Sequence, residues 1–268
     1  IIFDRTAPEI SDISFLSDNE YGDSLSVPGD RVELVFVATE SITIPAVSIN
    51  GEDASVSGVG TNWSAVRTMM DYDEDGPISF LIDYKDPAGN QGLEMSVLPD
   101  SSGIIFDKIA PLLENISITS NNELGYPYAS AGDSINLTFS SSEFIYFPEV
   151  FINDVQSEAE LKDSTWGASL LVTEGDPEGG VEFTIDYKDR SGNVGSQVVS
   201  STDGSIVTID QTSAQVSSVN AYSDRILIFG DSLLVSVLFS EPVIVNGQPE
   251  LILNIGNQSR SIDFIGGS

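Results

Sequence analysis

The chain has 268 residues, with 42 Asp and Glu against 10 Lys and Arg, for a net charge of −32. That balance argues against nucleic acid as a partner, since phosphate binding needs clustered Lys and Arg. Having no Cys rules out disulfides and thiol chemistry, and having no His removes the commonest general base and transition-metal ligand.

Hydrophobic residues make up 40% of the chain and alternate along it, which separates it from disordered acidic sequences. No apolar run approaches the roughly 20 residues of a membrane helix. No signal peptide is visible, as expected of an internal fragment.

The dominant feature is a gapless repeat of 103 residues. Ile1-Ile2-Phe3-Asp4 returns as Ile104-Ile105-Phe106-Asp107, and a third copy opens at Ile206-Val207-Thr208-Ile209-Asp210, with Asp210 again 103 residues after Asp107. Asp83-Tyr84-Lys85-Asp86 returns as Asp186-Tyr187-Lys188-Asp189, each followed by a Gly-Asn pair. A period of this length marks a tandem array of whole domains. The repeat divides the chain into 1–103, 104–205 and a partial, divergent 206–268. The third unit stops short of the closing Asp-Tyr-Lys-Asp segment, as expected of a fragment of a longer array.

In chain order, the first unit predicts strands over 9–16, 31–38, 42–49, 54–59, 63–70, 78–85 and 91–98. Val32, Leu34 and Phe36 show the period-two pattern of a half-buried strand, as do Ile135, Leu137 and Phe139 one repeat later. Turns are signalled at Pro28-Gly29-Asp30, Asn50-Gly51, Asp75-Gly76-Pro77 and Pro87-Ala88-Gly89-Asn90. No helical period is convincing. Seven short strands per unit predict an all-β chain of tandem immunoglobulin-like sandwiches arranged end to end. Trp63, Trp166, Tyr84 and Tyr187 read as core. Arg67 stands where the second copy has Leu170, on an otherwise apolar face.

In such a sandwich the start of the first strand, the second turn and the last turn share one pole. That places Asp4, Glu40 and Asp86 together in the first unit, and Asp107, Glu143 and Asp189 in the second. Asp210 and Glu241 are the counterparts in the third. The acidic turn Asp71-Tyr72-Asp73-Glu74-Asp75 belongs to the opposite pole and is expected to face the next unit's start. With few Lys and Arg to pair them, converging carboxylates call for a hard divalent cation. Flexible all-oxygen coordination favours Ca2+. Asp30 and Asp133 read instead as acceptors of turn hydrogen bonds, and Gly89-Asn90 as a backbone turn.

The Asp-x-Thr-Ala-Pro opening at Asp4–Pro8, Gly29-Asp30 before a strand, Phe36-x-x-Thr39-Glu40 after it and Asp86-x-x-Gly89-Asn90 near the end carry a resemblance. Phe239-Ser240-Glu241-Pro242-Val243 and Pro249-Glu250-Leu251 extend it to the third unit. These motifs resemble the tandem Ig-like domains of giant bacterial surface and secreted adhesins. The resemblance implies an extracellular, non-enzymatic extender at the cell surface, often with Ca2+ at domain junctions: here Asp4, Asp86, Asp107, Asp189 and Asp210. Its partners are then the neighbouring repeats, with any glycan or protein ligand engaged through other domains. The alternative, a glycan-binding module in every unit, calls for exposed aromatics on one face. An enzyme fits poorly, because the acids recur with the fold whereas a catalytic pair occurs once.

Overall fold

A computed structural model describes residues 3–100, 102–123, 125, 127–224 and 226–267. Ile1 and Ile2 of the opening motif lie outside the described residues. The chain divides into two units, Ile1–Asp210 and Gln211–Ser268.

The first unit contains two sandwiches. The first is built from β1 (Ile10–Ser17), β2 (Leu25–Ser26), β3 (Arg31–Ala38), β4 (Ala46–Ile49), β5 (Glu52–Asp53), β6 (Ser55–Val59), β7 (Asn62–Thr68), β8 (Gly76–Pro77), β9 (Phe80–Asp83) and β10 (Ile105–Phe106). An antiparallel sheet of order β1-β3-β7-β6 and a second of order β5-β4-β9 share one apolar core. Alternation drives it: Val32, Leu34, Phe36 and Ala38 of β3 point inward, as do Val47 and Ile49 of β4 and Phe80 and Ile82 of β9. Burying each of the larger side chains stabilises the fold by about 1.5–3 kcal/mol. The Phe15 and Phe80 rings meet edge to face at 5.6 Å across the core.

The second sandwich repeats the plan with β11 (Leu113–Ser120), β12 (Tyr128–Ala129), β13 (Ser134–Ser141), β14 (Glu149–Ile152), β15 (Val155–Ser157), β16 (Ala159–Lys162), β17 (Thr165–Leu171), β18 (Gly179–Gly180), β19 (Phe183–Asp186) and β20 (Thr208–Ile209). Its sheets, β11-β13-β17-β16 and β15-β14-β19, have the same order as those of the first. Both sandwiches therefore follow the immunoglobulin-like arrangement of a four-stranded sheet over a shorter one.

Three differences from the sequence expectations matter. Ile104–Phe106, assigned by the repeat to the second domain, belongs to the first core. Ile104 and Phe106 are fully buried there, and β10 pairs parallel with β2 and antiparallel with β8. β20 occupies the same place in the second sandwich, with Val207 and Ile209 in its core. The apolar segment at each repeat boundary is a closing strand, and each sandwich ends just before its Asp107 or Asp210.

The second difference is at 91–98, where an isolated pair of bridges replaces a strand. Lys85 pairs with Gln91 and Ile82 with Met95, so the register slips by one residue between them. Gly92 sits against the Tyr84 ring, where a Cβ would lie 2.3 Å from a ring carbon; Gly195 and Tyr187 repeat this at 2.2 Å. The tight ring contact and the slip together leave Leu93 exposed and prevent a regular ladder.

The third is Arg67, which is buried on the inward face of β7 rather than disturbing it. Its guanidinium pairs with Asp73 at 2.6 Å, with both side chains nearly inaccessible to solvent. Trp63, Trp166, Tyr84 and Tyr187 are buried, as core residues should be.

The second unit comprises β21 (Val216–Tyr222) with β22 (Leu234–Phe239), and β23 (Glu250–Ile255) with β24 (Gln258–Asp263), two antiparallel hairpins. None of its described residues is fully buried.

Candidate metal centre

Each sandwich brings three carboxylates together at one pole. Asp4 precedes β1, Glu40 follows β3 and Asp86 follows β9; Asp107, Glu143 and Asp189 hold the same places one repeat later. In each group, one oxygen from each residue lies within 4.8 Å of the others. Oxygens on one Ca2+ at 2.3–2.6 Å can be no more than about 5 Å apart, so the spacing and the all-oxygen donor set fit that ion. Asp210 ends the first unit and Glu241 belongs to the second; neither is part of these groups.

The buried member of each triad is held in place by its own turn. Asp86 is 1% exposed and accepts from the Asn90 backbone at 2.8 Å and from Asn90 Nδ2 at 2.7 Å. Asp189, equally buried, accepts from the Gly192 and Asn193 backbones at 2.7 and 2.9 Å and from Asn193 Nδ2 at 2.8 Å. Gly89 and Gly192 take φ of 94° and 102°, which other residues adopt only with strain and which lets the turn fold its amides onto the acid. The asparagines are therefore more than turn formers. Asn193 Nδ2 also donates to the Asp107 carbonyl at 3.1 Å, and Ser191 Oγ to the Asp107 carboxylate at 3.1 Å. The Gly-Asn pair repeats in register, which was the available signal; the capture of the acid by Asn depends on turn geometry that the sequence alone does not display.

The charges respond to this crowding. Burial, then the charges of Asp4 and Asp86, push Glu40 above the ordinary carboxylate range. Burial, then Asp107 and Asp189, do the same to Glu143. For Asp86, burial works upward but is outweighed by the hydrogen bonds from Asn90, Gly89 and Ala88, so its carboxyl is held low. The first triad thus pairs an acid fixed as an anion with a glutamate that resists ionising beside it.

The acidic turn after β7 does not join the second triad. Asp73 is neutralised by Arg67, Asp75 Oδ1 accepts from the Lys108 backbone at 2.9 Å, and Lys108 Nζ donates to the carbonyls of Asp71 and Asp73 at 3.0 and 2.6 Å. Two of the few cations stand where the sequence suggested unrelieved repulsion. The loop between β1 and β3 approaches the triad's pole instead. Asn19 Nδ2 donates to the Ser191 carbonyl at 3.0 Å, and Lys188 Nζ donates to Tyr21 Oη at 2.8 Å and lies 4.4 Å from that ring's centre. The Tyr21 ring packs so closely on Gly192 that a Cβ there would come within 2.5 Å. The two sandwiches are therefore latched through the turn that also carries Asp189.

Asp30 and Asp133 behave as turn acceptors. Asp30 receives Val27 N at 2.8 Å and Asn19 Nδ2 at 2.7 Å; Asp133 receives Ser130 N at 2.7 Å and Asn122 Nδ2 at 2.6 Å.

No protein-family model and no curated protein matches the chain. Among solved structures, it is similar to the titin I-band fragment I67–I69 and to an E-to-A variant of the same three Ig domains. Each match has 9% identity and a TM-score of 0.44, and covers 99% of this chain and 90% of that one. The I9–I11 tandem of titin matches at 11% identity with a TM-score of 0.28, over 75% of this chain and 65% of that one. At such identities the likeness concerns fold alone. The strand order of the two sandwiches defines the class: the chain carries tandem immunoglobulin-like β-sandwich domains.

Proposed function

We propose that this chain is a non-enzymatic extender segment of a bacterial cell-surface adhesin, outside the cell, whose domain junctions are stiffened by Ca2+. The observation that carries the reading is the recurrence of one carboxylate triad at the same pole of both sandwiches. Asp4, Glu40 and Asp86 would hold one ion, and Asp107, Glu143 and Asp189 another. A bound cation supplies charge neutralisation and cross-linking, with no turnover.

The chain positions of the second triad support a role at the joint. Asp107 follows the closing strand of the first sandwich directly, while Glu143 and Asp189 belong to the second. Asp189 and Asn193 fix the turn against which Asn19 and Tyr21 pack. The partners of the segment are its neighbouring repeats, and adhesion to a glycan or protein is left to other domains.

Small-angle scattering and thermal melting test this together, in calcium and in chelator, on the native chain and on Asp107→Ala with Asp189→Ala. At free Ca2+ about 100 times the dissociation constant, binding to the folded state stabilises by about 2.7 kcal/mol. The native chain should melt higher and have a larger maximum dimension in calcium, and the double variant should lose the effect of the second triad. Identical curves for the native chain in both conditions would leave the acids as solvated surface charge.

A further inference from the structure

The second sandwich carries a groove whose aromatic and acidic residues differ from those at the same positions of the first. A groove of about 770 Å3 opens along β14 and β19, and its lining includes Tyr146, Phe147, Glu149, Glu158 and Asp186. Phe147 is 79% exposed and Tyr146 44%, with their rings edge to face at 4.7 Å. The first sandwich has Thr43 and Ile44 at these positions, and Ala46 where Glu149 stands. The aromatic pair and this glutamate are therefore additions to a shared scaffold rather than requirements of the fold.

The charges of the groove are arranged against the stability of the sheet. Glu149 lies directly opposite Asp186 across the β14–β19 pairing, a like-charge pair that disfavours the sheet. In the first sandwich the corresponding partners are Ala46 and Asp83, without that repulsion. Gln197 Nε2 donates to both Asp186 oxygens at 3.0 and 2.9 Å, which satisfies hydrogen bonding without supplying charge. Among the described residues, the ion pairs are Arg31–Glu33 and Arg67–Asp73, so none neutralises the groove. Lys188 also lines it, but its ammonium is engaged by Tyr21.

Exposed aromatic faces beside paired carboxylates complement a cation that is flat and carries several donors. A guanidinium meets both demands: it stacks on aromatic rings and forks its N–H groups onto carboxylates, whereas an ammonium is a compact point charge. A neutral sugar would use the rings but leave the Glu149–Asp186 repulsion in place. The net charge of −32 steers basic partners toward the chain. We propose that this groove binds an arginine side chain presented by a partner protein, stacked on Tyr146 and Phe147 and hydrogen-bonded to Glu149 and Asp186.

The test is NMR titration of the 15N-labelled full chain with a capped pentapeptide of four glycines around one arginine. Parallel titrations use its lysine counterpart, a neutral methyl glycoside and phosphatidylcholine vesicles. Amide shifts should be confined to the groove, and the arginine peptide should bind about two- to fivefold tighter than the lysine peptide. Phe147→Ile with Glu149→Ala, residues the first sandwich already uses, should weaken binding about tenfold. Glu149→Ala alone, which leaves the backbone at Phe147 undisturbed, should weaken it about threefold. Glu174→Ala removes the same charge elsewhere and should change affinity less than twofold. Shifts spread over the whole surface, an equal loss in Glu174→Ala, or tighter binding of lysine peptide, glycoside or vesicles would each overturn the proposal.

Discussion

Replacing Arg67 by Leu, the residue found at the same place in the second sandwich, isolates the cost of an uncompensated buried charge. Arg67 and Asp73 are 7% and 4% exposed and meet at 2.6 Å. Without the guanidinium, Asp73 keeps the Met70 backbone donor at 2.8 Å but loses its counter-charge. Breaking such a pair from one side costs about 3–5 kcal/mol. At roughly 4–8 °C per kcal/mol for a domain of this size, the first sandwich should melt at least about 12 °C lower. Adding Asp73→Asn removes the stranded charge and should restore most of the loss. The sign with pH is fixed. Burial pushes Asp73 upward, but the hydrogen bonds of Arg67 and Met70 and the Arg67 charge prevail and hold it below the 3.8 of a free Asp. Its contribution is therefore full above about pH 4 and lost as pH falls through the folded value, so native chain and variant should converge in acid. Trp63 and Trp166 report separately on the two sandwiches, so fluorescence-detected urea unfolding in a Trp166→Phe background reads the first alone. A loss below about 1 kcal/mol, or no recovery in the double variant, would refute this electrostatic reasoning.

Phe106→Ala, at the repeat boundary, should cost the first sandwich about 3–5 kcal/mol and leave Trp166 unfolding almost unchanged, since Phe106 fills the first core. Gly195→Ala should destabilise the second sandwich by at least about 1–3 kcal/mol in calorimetry, because its Cβ would meet the Tyr187 ring at 2.2 Å. In calcium-free buffer, melting temperature should peak near pH 4–5. Asp86 and Asp133, held below 3.8, lose their contributions in acid, whereas Glu40 and Glu143, raised above 4.5, bring repulsion as pH rises through their folded values. Tyr21→Ala should leave both melting transitions in place and increase interdomain motion in NMR relaxation, since its contacts with Lys188 and Gly192 join the sandwiches.

The period-two pattern of Val32, Leu34 and Phe36 and the gapless repeat were enough to place the main strands and to gather Asp4, Glu40 and Asp86 at one pole. Both signals are local or periodic, and the sandwich topology converts them into positions. Ile104-Ile105-Phe106 misled because the repeat opens the second unit at Ile104, whereas a short apolar run at a repeat boundary can equally close the preceding sandwich. Only its pairing with Leu25–Ser26 and Gly76–Pro77, far away in sequence, distinguishes the two. The acidic turn misled for a related reason. Its charges were counted, but the placement of Arg67 and Lys108 against them depends on the inward face of one strand and on the fold of the next domain. The latch of Asn19 and Tyr21 on Ser191 and Gly192 spans more than 170 residues and left no sequence pattern to find.

Anomalous diffraction from crystals of the native chain grown in calcium is the decisive observation for the metal centres. A peak within coordinating distance of Asp107, Glu143 and Asp189, and a second beside Asp4, Glu40 and Asp86, is the expected result. Well-ordered triads with only water among their oxygens, at calcium concentrations that saturate other oxygen-ligated sites, would contradict the calcium-stiffened junction.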